Sequence, residues 1–461
     1  MLRVFVAFLL FCAWEAQAQH QASASNMALL SHDDLQARSA YQPVIHESRG
    51  RWIAYIGHHG GKSLNPLTGR AEDNGTSLVD VTDPRKPRYL AHIPGEPGDG
   101  ESGGAQMVRV CNGKDLPKAD PAKVYLLRTY GNLAHELWDV TAPEKPGRVA
   151  VIVDKLKGTH KNFWECDTGI AYLVSGLPDW RIRRMTQIFD LSNPAQPVLV
   201  RNFGLPGQQP GASGPVPTEL HGPISTGPKG NRVFFGYGTN KNGVMHIVDR
   251  AKLLSGPSEP TPQNLLSPQV GVFQLPGTNG AHTTLPLLGM QLPEFAKDKG
   301  GSQRDFALVV DESLVNECQE PRQMVFVVDI TDEAHPVGVA TFNVPEAPGG
   351  FCSRGGRFGS HSSNENQPPM YAKKMVFFAW FNAGVRAVDV RDPFHPREAG
   401  YYIPATTEKT DKRCVKAADG SERCKVAIQT NNLEVDDRGY IYIVDRANTG
   451  MHILQFTGEL R

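Results

Sequence analysis

Short unbroken apolar runs, rich in β-branched and aromatic side chains and closed by Gly, Asn or Asp, recur along the chain. They are Ile53–Gly57, Val124–Leu127, Ile170–Val174, Val233–Tyr237, Phe306–Val310, Val376–Trp380 and Ile441–Val444. Runs of this length without polar alternation predict strands covered on both faces. A second pattern follows each run. Its sharpest copy is Leu78-Val79-Asp80-Val81-Thr82-Asp83-Pro84, and its marker aspartate returns as Asp139, Asp190, Asp249, Asp329 and Asp389. A seventh copy, His452-Ile453-Leu454-Gln455-Phe456, has lost the acid. The interval is about sixty residues, so one supersecondary unit is used seven times.

After the marker, Asp-Pro or Asn-Pro with a second proline close behind predicts a turn, and a further strand leaves it, as in Tyr89–Ile93 or Val198–Phe203. The marker aspartates are expected to be structural, accepting bonds from backbone donors at that turn. With one leading strand before each group, the count is four strands per unit. The predicted fold is all-β, a seven-bladed β-propeller with four-stranded blades. The blades run roughly over residues 41–93, 104–153, 159–204, 219–275, 281–344, 360–403 and 427–457. The last has no room for its outer strand, and an open edge invites aggregation. The segment from about Met27 to Tyr41 is the expected donor. Insertions at Lys62–Asn74, Pro206–Pro217, Lys252–Pro268, Leu287–Gln303 and Ala405–Lys425 read as surface loops, the usual place for recognition of a small molecule or protein.

Residues 1–18 combine a basic lead, the apolar run Val4–Ala13 and the small-x-small site Ala16-Gln17-Ala18, which predicts a cleavable signal peptide. The expectation is a periplasmic or secreted protein, with residues 19–461 as a single domain and no transmembrane segment. The 48 basic and 48 acidic residues cancel, which argues against nucleic acid as a partner. Cys12 would leave with the signal. Among the six remaining cysteines, Cys414 and Cys424 flank a turn-prone insert and are the best pair for a disulfide. An even count in an oxidising compartment suggests bridges, with the pairing of Cys111, Cys166, Cys318 and Cys352 open, and these four could instead stay reduced and buried. There is no HExxH pair or Walker loop.

In its marker strands, Leu78-Val79-Asp80-Val81, Ile247-Val248-Asp249 and Val327-Val328-Asp329-Ile330, the chain resembles the LVIVD-repeat group over about residues 41 to 457. That resemblance implies a seven-bladed propeller on an extracytoplasmic bacterial protein and little about chemistry.

The leading strand of a propeller blade lines the central channel. Four consecutive blades open with histidine: His160, His221, His282 and His361. Pseudo-symmetry would aim the four imidazoles at one point, a donor set suited to a transition metal such as iron, copper or zinc. The pattern is similar to that of the carotenoid-cleaving oxygenases and the selenium-binding proteins, and implies oxidoreductase or oxygenase chemistry. The alternative is a non-catalytic propeller that binds a protein or ligand. At matching positions the other blades carry Gln42 or Pro43, Gln106 and Thr430. Glu165, Glu219 and Glu365 are candidates to orient the imidazoles. His46 is a candidate fifth channel group. His58 and His59 read as a solvated turn or, alternatively, as a rim ligand or substrate contact. His135 and His246 are expected to pack between blades.

Overall fold

A computed structural model describes residues 21–297, 301–417 and 419–459. The expected signal peptide and Cys12 lie outside the described residues. Seven antiparallel sheets form the propeller. Blade 2 shows the unit plainly: Val108–Asn112, Val124–Tyr130, Ala134–Asp139 and Gly147–Val153 pair in chain order. The marker strand is the third of each blade. Just before the marker aspartate, its ladder with the outer strand slips, at Leu78/Val79, Leu137/Trp138, Ile188/Phe189, Ile247/Val248, Val327/Val328 and Ala387/Val388. One bulge at a fixed place in each unit adds the same local twist every time.

Blade 7 contains Thr430–Val435, Tyr440–Asp445 and Met451–Phe456, and its outer strand is Met27–Asp33. The borrowed strand reproduces the bulge, with the slip between Leu29 and Ser31 opposite Leu454 and Ile453. The closure is therefore a true copy of the repeat, made with residues from the other end of the chain. Ser23–Ser25 adds a fifth strand to blade 6 against Tyr401–Ile403.

The turns explain the repeat. Each marker aspartate accepts a backbone N–H shortly downstream: Thr82 on Asp80, Thr141 on Asp139, Ser192 on Asp190, Lys252 on Asp249, Thr331 on Asp329 and Arg391 on Asp389. The threonine two residues on then accepts the N–H at the start of the second strand, as Thr82 does from Trp52, Thr141 from Val124 and Thr331 from Asp305. Two short side chains thus tie two strands at one corner.

The core is divided among the blade interfaces. Ile53, Tyr55 and Leu78 of blade 1 meet Val108, Val124 and Leu126 of blade 2. Leu137 and Ile152 of blade 2 meet Ala171, Leu173 and Phe189 of blade 3, and so on around the ring to Tyr442 and Ile453 against Ile45 and Val79. Close approach needs glycine on the second strand. A Cβ at Gly57 would stand 2.3 Å from the Gln106 carbonyl oxygen, and one at Gly236 would stand 2.4 Å from that of Ala281.

Two sequence expectations change. Leu287–Gln303 is not a plain surface loop, because the leading strand of blade 5 runs over Thr283–Gln291 and buries Leu287 and Met290 in the core. The remaining cysteines are not reduced: Cys111–Cys166 and Cys318–Cys352 are disulfides, as is Cys414–Cys424. No described helix is long and apolar enough to cross a membrane.

Candidate metal centre

The four blade-opening histidines meet at the hub. Their ring centroids follow one another at 4.3 Å from His160 to His221, 3.9 Å from His221 to His282 and 4.3 Å from His282 to His361. The Nε2 atoms of His160 and His221 are 3.2 Å apart. Backbone register sets this convergence. The N–H groups of His160, His282 and His361 donate to the carbonyls of Val174, Val310 and Ala379, at the end of each blade's own second strand. In blade 4 the same place is a bulge between Leu220 and Gly222 that leaves His221 unpaired and turned inward.

Equivalent bulges fall between Ala40 and Pro43 in blade 1 and between Thr430 and Asn432 in blade 7. The hub residues there are Tyr41 and Asn431, which replaces the sequence alignment of those blades on Gln42 or Pro43 and Thr430. The Tyr41 hydroxyl lies 3.1 Å from His160 Nε2 and 3.4 Å from His282 Nε2. The backbone carbonyl of Asn431 accepts from His361 Nδ1 at 2.6 Å. A carbonyl only accepts, so Nδ1 carries the proton and Nε2 of His361 keeps its lone pair for the hub.

A carboxylate completes the cluster. Glu312, just past the second strand of blade 5, places its oxygens 3.4 Å from His221 Nε2 and 3.5 Å from His361 Nε2. Arg357 anchors it at 3.0 Å, and Arg446 stands 3.8 Å away. Two overlapping donor sets result, His160 with His221 and His282, and His282 with Glu312 and His361. Within each set the donor atoms lie within 4.8 Å of one another, and His282 belongs to both. Ligands about 2 Å from a shared ion are spaced on this scale.

Electrostatics prepare the donors. Burial holds all four imidazoles below their usual range, His361 down to about 3, which favours the neutral ring. Burial opposes ionisation of Glu312 too, but the groups packed against it, the Arg357 guanidinium among them, outweigh burial and hold the carboxyl far below its ordinary value. Four neutral nitrogens beside one fixed anion suit a dication.

The other sequence candidates lie elsewhere. Glu165 binds Arg250, Ser225 and Tyr172 between blades 3 and 4. Glu219 pairs with Arg183 at the surface, and Glu365 binds Lys161 and Arg109. None of the three touches a hub imidazole; Thr283 Oγ1, 2.9 Å from His282 Nδ1, and the Asn431 carbonyl occupy that role. His46 is half-buried in the leading strand of blade 1, beside Asn112 and outside the cluster. His58 and His59 are not a solvated turn, because both are buried in Arg51–Gly60. His58 bonds Ser77 inside blade 1, whereas the ring of His59 meets Tyr41 edge-on at 4.8 Å, at the mouth of the hub. His135 bonds the Val174 carbonyl of the next blade, and His246 is fully buried near Phe203 and Phe235.

No protein-family profile matches this chain, and no curated protein matches it either. Among solved structures, Raptor from Chaetomium thermophilum is similar over 96% of this chain, with a TM-score of 0.52 and 10% sequence identity. The chain spans 30% of the length of that protein. At this identity the likeness concerns the propeller fold alone.

Proposed function

We propose that this protein is an exported propeller, allied to the LVIVD-repeat group, that holds one transition-metal ion at its hub and uses it in oxidoreductase or oxygenase chemistry. His160, His221, His282 and His361 would hold the ion, with Glu312 beside them. The observation that carries this reading is the burial of four imidazoles and one anchored carboxylate in two donor sets that share His282. Bound iron or copper would supply Lewis acidity and one-electron chemistry; zinc would supply Lewis acidity alone. The chain's own contribution is to fix the ring tautomers, to hold Glu312 ionised through Arg357, and to keep bulk water from the hub.

One observation favours a second reading, a binding propeller without chemistry. The Tyr41 hydroxyl already reaches two of the four imidazoles, which gives the hub a partner of its own. Elemental analysis of the purified full chain separates the two. The metal reading expects about one equivalent of metal per chain. The His282→Ala variant, which cuts both donor sets, is expected to remove it while circular dichroism stays that of the folded ring. Protein that arrives without metal and shows no saturable site for iron, copper or zinc overturns the proposal and leaves the binding propeller.

A further inference from the structure

Two inserted hairpins flank the mouth of the hub. One pairs Lys62–Asn65 with Arg70–Asp73, and the other pairs Lys412–Lys416 with Glu422–Val426 and carries the Cys414–Cys424 disulfide. Between them lies a cavity of about 340 Å³, lined by Ser39, His59, Lys62, Asn74, Arg413 and Arg446 among others. That volume accommodates a small organic molecule. Its inner wall is shared with the hub, since His59 packs on Tyr41 and Arg446 faces Glu312.

The wall sets Lys62, Arg413 and Arg446 against a single carboxylate, Asp411. His59 Nε2, Arg446 Nη1 and Arg413 Nε are buried without a hydrogen-bond partner, and His59 is only 2% exposed. The nearby carboxylates stand at long range, Asp411 3.9 Å from Arg413, and Glu312 and Glu101 3.8 and 4.0 Å from Arg446, while Arg413 also donates to the Arg446 carbonyl at 3.0 Å. Glu101 is committed to Arg184 at 2.8 Å. Buried donors left unpaired are costly, and two arginines lining one cavity are a receptor for an oxyanion.

We propose that this cavity admits the substrate and selects a small organic anion, a carboxylate or sulfonate, held by Arg413 and Arg446 with its other end directed past His59 toward the hub. The chemistry at that end rests on the metal-centre reading; the binding step does not.

Calorimetric titration of the full chain with benzoate and its neutral counterpart benzamide tests this. Benzoate is expected to bind saturably, and benzamide at least about tenfold more weakly. Arg446→Gln and Arg413→Gln are each expected to weaken benzoate by about tenfold and to leave benzamide unchanged, with Arg446→Lys recovering part of the loss. Arg413 is the more exposed of the two, so its variant carries the test if Arg446→Gln fails to fold. Equal affinity for both probes, or arginine variants that titrate like the parent, overturns the proposal. The same titration on His282→Ala separates it from the metal reading. Benzoate binding that survives there supports an arginine site whatever the metal analysis finds, and binding lost there but intact in the parent means that the anion sits on the ion, which overturns it.

Discussion

At the hub, a side chain's role follows from which way its backbone position points, and nearness in sequence to a histidine says little. His160, His221, His282 and His361 were legible because the repeat copies their position, and position in a propeller fixes direction. Glu312 and Tyr41 were not. Glu312 follows a second strand whose counterparts carry no carboxylate there, and Tyr41 is displaced by a bulge that the sequence does not announce. Glu165, Glu219 and Glu365 misled because an extended chain rises about 3.3 Å per residue, so a carboxylate two to five positions away is carried well clear of the imidazole. Glu434 offers a test at this scale. Burial pushes its carboxyl up to about 8 against the ordinary 4.5; Arg109 opposes the shift and Glu365 adds to it. The folded state thus favours the protonated acid. Its stabilising contribution is complete below about pH 4.5 and is lost as pH rises through 8. Glu434→Gln keeps the neutral form throughout, so its melting temperature should gain on the parent by on the order of 3 °C between pH 5 and pH 9. A difference that does not vary with pH would show that the group titrates normally.

Among the elements, the marker strand was the most legible because its aspartate, threonine and proline all serve one corner, and a corner tolerates few substitutes. The leading strands were harder to delimit. In blades 3 and 6 they shrink to Phe163–Trp164 and Ser362–Ser363, while in blade 5 the strand runs on to Gln291. Length there is set by packing against the neighbouring blades, which local pattern does not encode. The borrowed strand Met27–Asp33 was expected from the arithmetic of strands alone. Removing residues 21–33 strips the edge of Met451–Phe456 and uncovers the interface that Met27 shares with Leu433 and Leu454. The expected cost is at least about 3 kcal/mol, from the buried side chain and the lost ladder together. It should be read as a lower unfolding midpoint in urea, with aggregation on size exclusion. A truncated chain as stable and monodisperse as the parent would mean that blade 7 stands on three strands.

Across the whole molecule, stability lies in contacts between blades, and two disulfides reinforce them. Cys111–Cys166 joins the leading strand of blade 2 to blade 3, and Cys318–Cys352 ties the loop after the second strand of blade 5 to the connection that leads into blade 6. Such bridges join residues 55 and 34 apart in sequence, a link that local pattern around each cysteine cannot reveal. Closing loops of this size contributes about 3 to 4 kcal/mol each in the chain-entropy account. Thiol titration of the denatured, unreduced protein should find none of these four groups free, and reduction should lower the urea midpoint. Free thiols at these positions, or a midpoint indifferent to reductant, would leave the interfaces to carry the ring unaided.

The seam in blade 7 also bears on how the molecule is made. His32 bonds the carbonyl of Thr449, 417 residues later. Six blades can assemble while the polypeptide is still being produced, but the clasp waits for the final strands, and until then Met27–Asp33 is a sticky ribbon without its mate. A neighbouring copy at the same stage offers an identical vacancy, so crowded synthesis favours chains that fasten to one another in daisy-chains rather than to themselves.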